Sequence, residues 1–214
     1  MLKKRMSYSI IAPEINVEEL TEICVKAIKG DAHSVSVPLN WVKEAKHAIA
    51  NYPIQVVAKV SFPLGLDVPE QKLIACQDAV KSGATEIDFV CNMGFLKSND
   101  FDSLKREIEP IVNYCHDQGV RVNAILEISL LNPEQIITTL KLMESINIDG
   151  VGTSVGFKGM NMPLVSVSDI EHIRLNLSRS VQLKATGITE CREEIEKMIS
   201  GGADIVEISR IDIC

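Results

Sequence analysis

Short apolar runs alternate with segments of helical period along the whole chain. The runs are rich in β-branched residues and read SYSIIAP, HSVSV, IQVVAKVSF, EIDFVCN, RVNAILEIS, DGVGTS, VQLKAT and ADIVEIS. Between them apolar residues recur every three or four positions, as at Leu104, Ile108 and Ile111, which is the spacing of an amphipathic helix. The pattern predicts eight strands with helical segments between them.

Helix starts are marked in the same pattern. Asn16 is followed three residues later by Glu19, which is the spacing of a capping box, and this helix is predicted to run to about Lys29. Asn132 and Pro133 are suited to the N-cap and first helical positions of a later helix. Further helices are predicted at about residues 41–50, 69–81 and 101–115.

The order of elements predicts the architecture. Two helix-to-strand junctions, KSGATEIDFV and ISGGADIVEI, resemble each other, as repeated βα units would. Eight such units favour an α/β fold of one domain, a closed (β/α)8 TIM barrel over residues 1–214, rather than an open doubly wound sheet. No GxGxxG follows the first strand, which weakens a dinucleotide-binding alternative. Because the sequence stops soon after the eighth strand, we expect a truncated final helix and a homo-oligomer that covers the flank.

Composition narrows the possible partners. The net charge is -7 and the pI is near 5.2, whereas nucleic-acid binding needs a basic face. No apolar run approaches the roughly 18 residues of a membrane helix, and no apolar signal-peptide core follows MLKKRM. The six cysteines form no CxxC pair and are typical of reduced, mostly buried thiols. We expect a cytoplasmic protein that binds neither nucleic acid nor membranes.

Strand parity identifies the side chains that point into the barrel, because alternate residues of a strand face opposite sides. In the fourth strand Ile87 and Phe89 share the face that packs on the helices, which leaves Asp88 inside. The same test turns inward several polar residues of other strands: Lys59, Asn123, Glu127, Lys184 and Thr186. Two lysines and two carboxylates are therefore predicted to converge inside one barrel.

The two inward lysines have different interpretations, since a buried charge is costly unless it is paired or reactive. For Lys59 an ion pair with Asp88 is favoured over catalysis. Lys184 is the better candidate for chemistry because it lies near the carboxyl end of its strand, the rim at which barrel enzymes act. Burial there is expected to lower its pKa and supply the neutral amine that Schiff-base formation needs, and a structural salt bridge is the alternative.

Several motifs in order resemble those of the deoxyribose-phosphate aldolases. They are KVSFPLG at 59–65, GATEIDFVCNMGFLKSND at 83–100, ILEISLL at 125–131, GVGTSVGF at 150–157 and LKATGIT at 183–189. The resemblance covers nearly the whole chain. It implies the same barrel, a lyase activity in carbohydrate metabolism, and a cytoplasmic, often dimeric protein.

The resemblance also implies roles for single residues. In that family a lysine on strand six forms the Schiff base, a lysine on strand seven keeps the pKa of the first one low, and an aspartate on strand four takes part in proton transfer. The last two correspond to Lys184 and Asp88. Gly152 stands at the Schiff-base position, and Asn123 stands where a lysine on strand five is common. Glycine cannot form an imine, so the family's standard mechanism cannot run unchanged.

The predicted substrate-binding residues lie on the later strands and the loops that follow them: Asn123, Gly152, Thr153, Ser154, Thr186, Gly187, Ser209 and Arg210. The backbone N–H groups of Gly187 and Ile188 open a helix and suit a phosphate, to which Arg210 adds a positive charge. The alternative is that Thr189 caps the helix and Arg210 is solvated. The loop at 153–163 is a candidate lid, with Lys158 reaching the substrate.

Three explanations stay open for the missing lysine. In the first, Lys184 forms the imine, Asp88 or Glu127 moves protons, and Lys59 is the neighbouring cation. In the second, the protein is a catalytically inactive binder of a sugar phosphate. In the third, ranked last, Asp88 and Glu127 hold a divalent cation. The sequence thus predicts a lyase with a displaced nucleophile, acting on a small phosphorylated sugar or aldehyde without a metal or cofactor, or alternatively a pseudoenzyme.

Overall fold

The computed structural model is a closed parallel barrel, and it describes residues 2–156, 163–188 and 190–209. The eight strands lie side by side in chain order, and the first pairs with the last. The strands are β1 Met6–Ser9, β2 Ser34–Pro38, β3 Gln55–Val60, β4 Glu86–Val90, β5 Arg121–Ile125, β6 Gly150–Gly152, β7 Gln182–Ala185 and β8 Ile205–Ile208. The helices are α1 Val17–Lys29, α2 Val42–Ile49, α3 Pro69–Lys81, α4 Met93–Lys97, α5 Phe101–Asp117, α6 Pro133–Ser145, α7 Val167–Asn176 and α8 Arg192–Ser200. The predicted (β/α)8 barrel is confirmed.

Helix starts follow the local signals in the sequence. The Asn16 side chain accepts from the Glu19 N–H at 3.0 Å, and the Glu19 carboxylate accepts from the Asn16 N–H at 3.1 Å, which forms the predicted capping box of α1. Asn132 and Gln135 make the same reciprocal pair at α6, with Pro133 in the first turn. These bonds satisfy N–H groups that a helix start otherwise leaves without partners.

The two faces of each strand are separated as parity predicts. Ile87, Phe89 and Cys91 are fully buried in the apolar layer between the barrel and its helices. Asp88 and Asn123 are each 1% exposed on the inner face. Among the described helices, none is long and apolar enough to cross a membrane. The expected truncation of the last helix concerns residues 210–214, which lie outside the described residues, so it and the domain span 1–214 stay predictions.

A buried ion pair ties two helices to the end of β4. Lys72 of α3 is 0% exposed and Glu107 of α5 is 1% exposed. Lys72 Nζ donates to Glu107 Oε1 at 2.9 Å and to the Val90 carbonyl at 2.8 Å, and the same carboxylate oxygen accepts from the Asn92 N–H at 3.1 Å. Because Val90 and Asn92 flank the carboxyl end of β4, the pair fixes the strand from which Asp88 projects.

We expect Glu107→Gln to lower the free energy of unfolding by about 3–5 kcal/mol, because it leaves the Lys72 ammonium buried without a counter-charge. Urea denaturation measures the change. Glu109→Gln on the same helix is the matched control, since Glu109 makes a half-exposed pair with Lys105 at 3.8 Å. Its expected cost is below about 1 kcal/mol. Equal costs for the two variants would contradict this prediction.

Candidate active site

Five ionisable side chains from four strands converge inside the barrel. They are Lys59 of β3, Glu86 and Asp88 of β4, Lys184 of β7 and Glu207 of β8. Each is 5% exposed or less. The prediction that the two lysines and Asp88 meet is confirmed. Glu86 and Glu207 were missed as site residues, although Glu86 shares the face of Asp88 and Glu207 shares the face of Ser209.

Lys184 forms ion pairs with two carboxyl groups of β4. Its Nζ donates to both oxygens of Asp88 at 2.8 Å and to Glu86 Oε1 at 3.1 Å. Burial by itself lowers the pKa of the Lys184 ammonium, but the nearby charges of Asp88, Glu86 and Glu207 outweigh burial and raise the pKa above its ordinary value. The expected lowering of this pKa is therefore wrong: the buried amine is a stabilised cation.

Lys59 has a different main partner from the one expected. Its Nζ donates to Glu207 Oε1 at 2.7 Å, whereas Asp88 Oδ2 lies 3.9 Å away. The other oxygen of Glu207 accepts from Ser36 Oγ at 2.8 Å and from Ser7 Oγ at 3.4 Å. Burial raises the pKa of Glu207, but the charges of Lys59 and Lys184 dominate and lower it to about 2, so this carboxylate is ionised.

Asp88 is the carboxyl group that both lysines share. The three carboxyl groups of the cluster face two lysines inside the barrel, and Arg121 at the start of β5 adds a third cation, 3.8 Å from Glu86 Oε2. Burial raises the pKa of Asp88 even though Lys184 and Lys59 oppose the shift. Asn123 Nδ2 donates to Asp88 Oδ1 at 2.7 Å and also contacts Glu86 Oε1. Asp88 is thus the member of the cluster best able to take up and release a proton.

Glu127 contacts the segment after β6 rather than the buried lysines. Its Oε2 accepts from Ser154 Oγ at 2.8 Å and from the Val155 N–H at 3.1 Å, and its Oε1 accepts from Ser129 Oγ at 2.7 Å. These bonds hold the segment that follows β6. The structure does not bring Glu127 into contact with either lysine through any described hydrogen bond, and its predicted role in proton transfer stays a prediction. The described residues contain no cluster of His, Cys, Asp and Glu that could hold a metal ion.

Two glycines of β6 make room for side chains of β5. A Cβ at Gly152 would overlap Ile125 Cδ1, and a Cβ at Gly150 would overlap Asn123 Oδ1. Ile125 packs with Val90, Val155 and Phe62 in a small apolar cluster of its own. The space beside Gly152 is therefore filled by an isoleucine from the neighbouring strand.

The predicted substrate-binding residues of the last three strands mostly line one cavity. It has a volume of about 190 Å³, and its lining includes Ser154, Gly156, Thr186, Gly187, Glu207 and Ser209. Thr153 does not line it. Its hydroxyl donates to the Thr186 carbonyl at 2.9 Å and accepts from the Thr186 N–H at 3.0 Å, which joins β6 to β7. Arg210, Thr189, Lys158 and the middle of the candidate lid at 153–163, residues 157–162, lie outside the described residues. The expectation that Gly187 and Ile188 open a helix is wrong, because α8 begins at Arg192 with Cys191 as its N-cap.

A carboxylate already occupies donors at the predicted phosphate end of this cavity. The N–H and the hydroxyl of Ser209 both donate to Glu190 Oε1, at 2.9 and 2.8 Å. Glu190 also lines the cavity. A phosphate group that uses Ser209 must therefore displace a carboxylate of the protein itself.

We expect Gly152→Ala to lower the free energy of unfolding by about 1 kcal/mol and Gly150→Ala by about 3 kcal/mol. At Gly152 a rotation of Ile125 clears the new methyl, since the next atom lies 3.7 Å away. At Gly150 the methyl meets the hydrogen-bonded Asn123 amide and lies 3.1 Å from the Gln182 carbonyl. Urea denaturation in wild-type and Ile125→Val backgrounds tests this, because the shorter side chain should remove the cost at Gly152 alone. A larger loss at Gly152 than at Gly150 would refute the packing argument.

We expect Glu190→Gln to tighten binding of inorganic phosphate about tenfold, because the amide removes a like charge from the anion's position. Isothermal titration calorimetry measures the affinity. Glu193→Gln makes the same change of charge at a side chain that is 79% exposed, and its effect should stay within about twofold because solvent and salt screen it. If both variants bind phosphate alike, Glu190 does not compete with it.

The sequence of the chain is similar to those of known aldolases. The model of the DeoC/LacD family aldolases matches residues 3–209. The chain is 30% identical over 209 residues to the deoxyribose-phosphate aldolase of Histophilus somni strain 2336, which covers 97% of this chain and 91% of that protein. It is 32% identical over 208 residues to that of Clostridium kluyveri strain ATCC 8527, covering 97% and 94%.

Solved aldolase structures have the same fold as this chain. The aldolase QR15 superimposes with a TM-score of 0.91 at 25% identity, over 99% of this chain and 93% of that one. The tetrameric deoxyribose phosphate aldolase from Aeropyrum pernix shares the fold, with a TM-score of 0.90 at 20% identity over 99% and 88% of the two chains. The match to the family model and the similarity to these relatives show that the chain belongs to the DeoC/LacD family of aldolases.

Proposed function

We propose that the protein is an aldolase-like lyase that makes or cleaves a C–C bond in a small phosphorylated sugar through a lysine Schiff base. Membership of the family supports a C–C lyase of the aldolase type. The observation that carries the proposal is the placement of Asp88 between two buried lysines, 2.8 Å from Lys184 Nζ and 3.9 Å from Lys59 Nζ. The amine then comes from a strand other than β6, so the nucleophile is displaced within the same interior.

The chemistry needs an amine and a group that moves protons. The amine adds to the substrate carbonyl, the resulting carbinolamine loses water, and the protonated imine accepts the electron pair of the C–C bond as it breaks. Asp88 is suited to move the protons because burial raises its pKa. Its carboxylate accepts a hydrogen bond from Lys184 and lies 3.9 Å from Lys59 Nζ. The surrounding barrel excludes bulk water, which strengthens each of these interactions.

The substrate class is inferred from relatives and from the cavity. The matched relatives are named deoxyribose-phosphate aldolases, and Thr186 and Gly187 line a cavity together with Ser209. The N–H and the hydroxyl of Ser209 are donors that an anion can use there. We propose a phosphorylated sugar or aldehyde that enters this end by displacing Glu190. We also propose a cytoplasmic homo-oligomer, as expected from the sequence, and the similar aldolase from Aeropyrum pernix is a tetramer.

A second candidate function, a sugar-phosphate binder without catalysis, is favoured by two observations. The space at Gly152, where the sequence resemblance implies the imine-forming lysine, is filled by Ile125. The Nζ of Lys184 has three carboxylate oxygens within 3.1 Å, which stabilise its charged, non-nucleophilic form. A binder needs only a cavity and anion donors.

An assay of C–C bond cleavage tests the first candidate against the second. The protein is incubated with deoxyribose 5-phosphate, and release of the aldehyde fragment is followed by NMR. We expect turnover in the wild type, a loss of at least about 100-fold in Asp88→Asn, and no change in Glu109→Gln on the outer surface. Calorimetric binding of the sugar phosphate without turnover, at any pH between 6 and 10, would instead support the binder.

A further inference from the structure

We propose that Lys59, rather than Lys184, forms the imine, and that Lys184 is a fixed cation that positions Asp88. This inference rests on the proposed lyase function. It reverses the assignment that the sequence favours, in which Lys184 is the nucleophile and Lys59 its neighbour. Three features of the described residues support it: access to a cavity, the number of ionic partners, and the route of the proton.

Access separates the two amines. Lys59 lines a cavity of about 470 Å³ at the mouth of the barrel, together with Trp41, Ser61, Phe62 and Asp67. Lys184 lines neither this cavity nor the one beside β6 to β8, and its side chain is 1% exposed. A carbonyl compound in the mouth therefore meets the Lys59 side chain, which is itself 3% exposed, before it meets Lys184. It reaches Lys184 only if the carboxylates around that lysine move.

The position of Lys59 also joins two cavities. Its partner Glu207 lines the cavity with Ser154 and Thr186, whereas Lys59 lines the other cavity, and Ile11 lines both. The Lys59–Glu207 contact of 2.7 Å thus lies between the predicted anion end and the mouth. A substrate whose carbonyl carbon meets Lys59 can extend its other end toward Thr186.

The ionic contacts of the two lysines differ in number. Lys184 Nζ has three carboxylate oxygens within 3.1 Å, from Asp88 and Glu86. Within the described residues, Lys59 Nζ has one such oxygen at 2.7 Å, from Glu207, and its next is 3.9 Å away. The remaining contact of Lys59 is with the Phe62 ring, whose centroid is 5.2 Å from Nζ. Freeing the Lys59 amine therefore breaks fewer close ionic contacts than freeing Lys184.

The proton balance of imine formation uses Asp88. The Lys59 ammonium, 3.9 Å from Asp88 Oδ2, gives one proton to this carboxylate through one bridging water. The neutral amine adds to the carbonyl carbon, and one of its protons moves to the carbonyl oxygen to give the carbinolamine. The proton on Asp88 then leaves with the carbinolamine hydroxyl as water, and the nitrogen lone pair forms the C=N bond. Overall, one carbonyl compound and one ammonium give one protonated imine and one water, with no oxidant or reductant. Lys184 keeps Asp88 oriented through both of its oxygens while this proton moves.

Borohydride trapping tests the assignment. The full chain is incubated with acetaldehyde or dihydroxyacetone phosphate and reduced, and the modified lysines are mapped by peptide mass spectrometry. We expect a saturable adduct on Lys59 that is lost in Lys59→Arg and kept, within about tenfold, in Lys184→Arg. Arginine keeps the positive charge for the carboxylates but forms no imine under these conditions. The exposed Lys141 of α6 is the internal control, because its labelling should rise without saturation.

The outcomes separate this inference from the proposed function. A saturable adduct on Lys184 that persists in Lys59→Arg would overturn the assignment and keep the Schiff-base lyase. No saturable adduct on either lysine would overturn both and leave the binder. The mapping in the unaltered chain decides between the lysines even if one of the arginine variants fails to fold.

Discussion

The structure depends on mutual neutralisation of charges in the centre of the barrel. Two lysines and three carboxyl groups are removed from water there, and each would be costly alone. They are tolerable because every charge has an opposite charge within hydrogen-bonding distance, and Asp88 links the two lysines. The charges are also coupled, because moving one proton within the cluster changes the electrostatic interaction felt by every other member.

The packing of β6 shapes the interior of the barrel. Its inner face carries two glycines, and the volume that they leave is taken by Asn123 and Ile125 from β5. The inner face of β6 is therefore a packed contact rather than an open space. The amide of Asn123 also contacts both carboxyl groups of β4. The two buried lysines of the cluster lie on β3 and β7.

Lys184 and Lys59 are both buried, but they differ in their carboxylate partners and in their access to a cavity. Burial alone favours a neutral amine, but at Lys184 the surrounding carboxylates reverse the effect and raise the pKa. A deeply buried lysine is thus not automatically a nucleophile. Lys59 is nearly as buried, yet it borders a cavity and has one close carboxylate. The two amines therefore differ in their ionic partners and in access more than in depth in the core.

The sequence by itself determined the barrel, the starts of α1 and α6 and the inward face of β4, because these depend on local periods of 3.6 and 2 residues and on nearby caps. Asp88 was found in this way, since Ile87 and Phe89 had to face the helices. The pairing of Lys59 with Glu207, 148 residues later, depends on β1 and β8 closing the barrel, and only the tertiary structure decided it. The direction of the Lys184 pKa was predicted wrongly from the sequence, because it is the sum of burial and of charges that distant strands bring within a few ångströms.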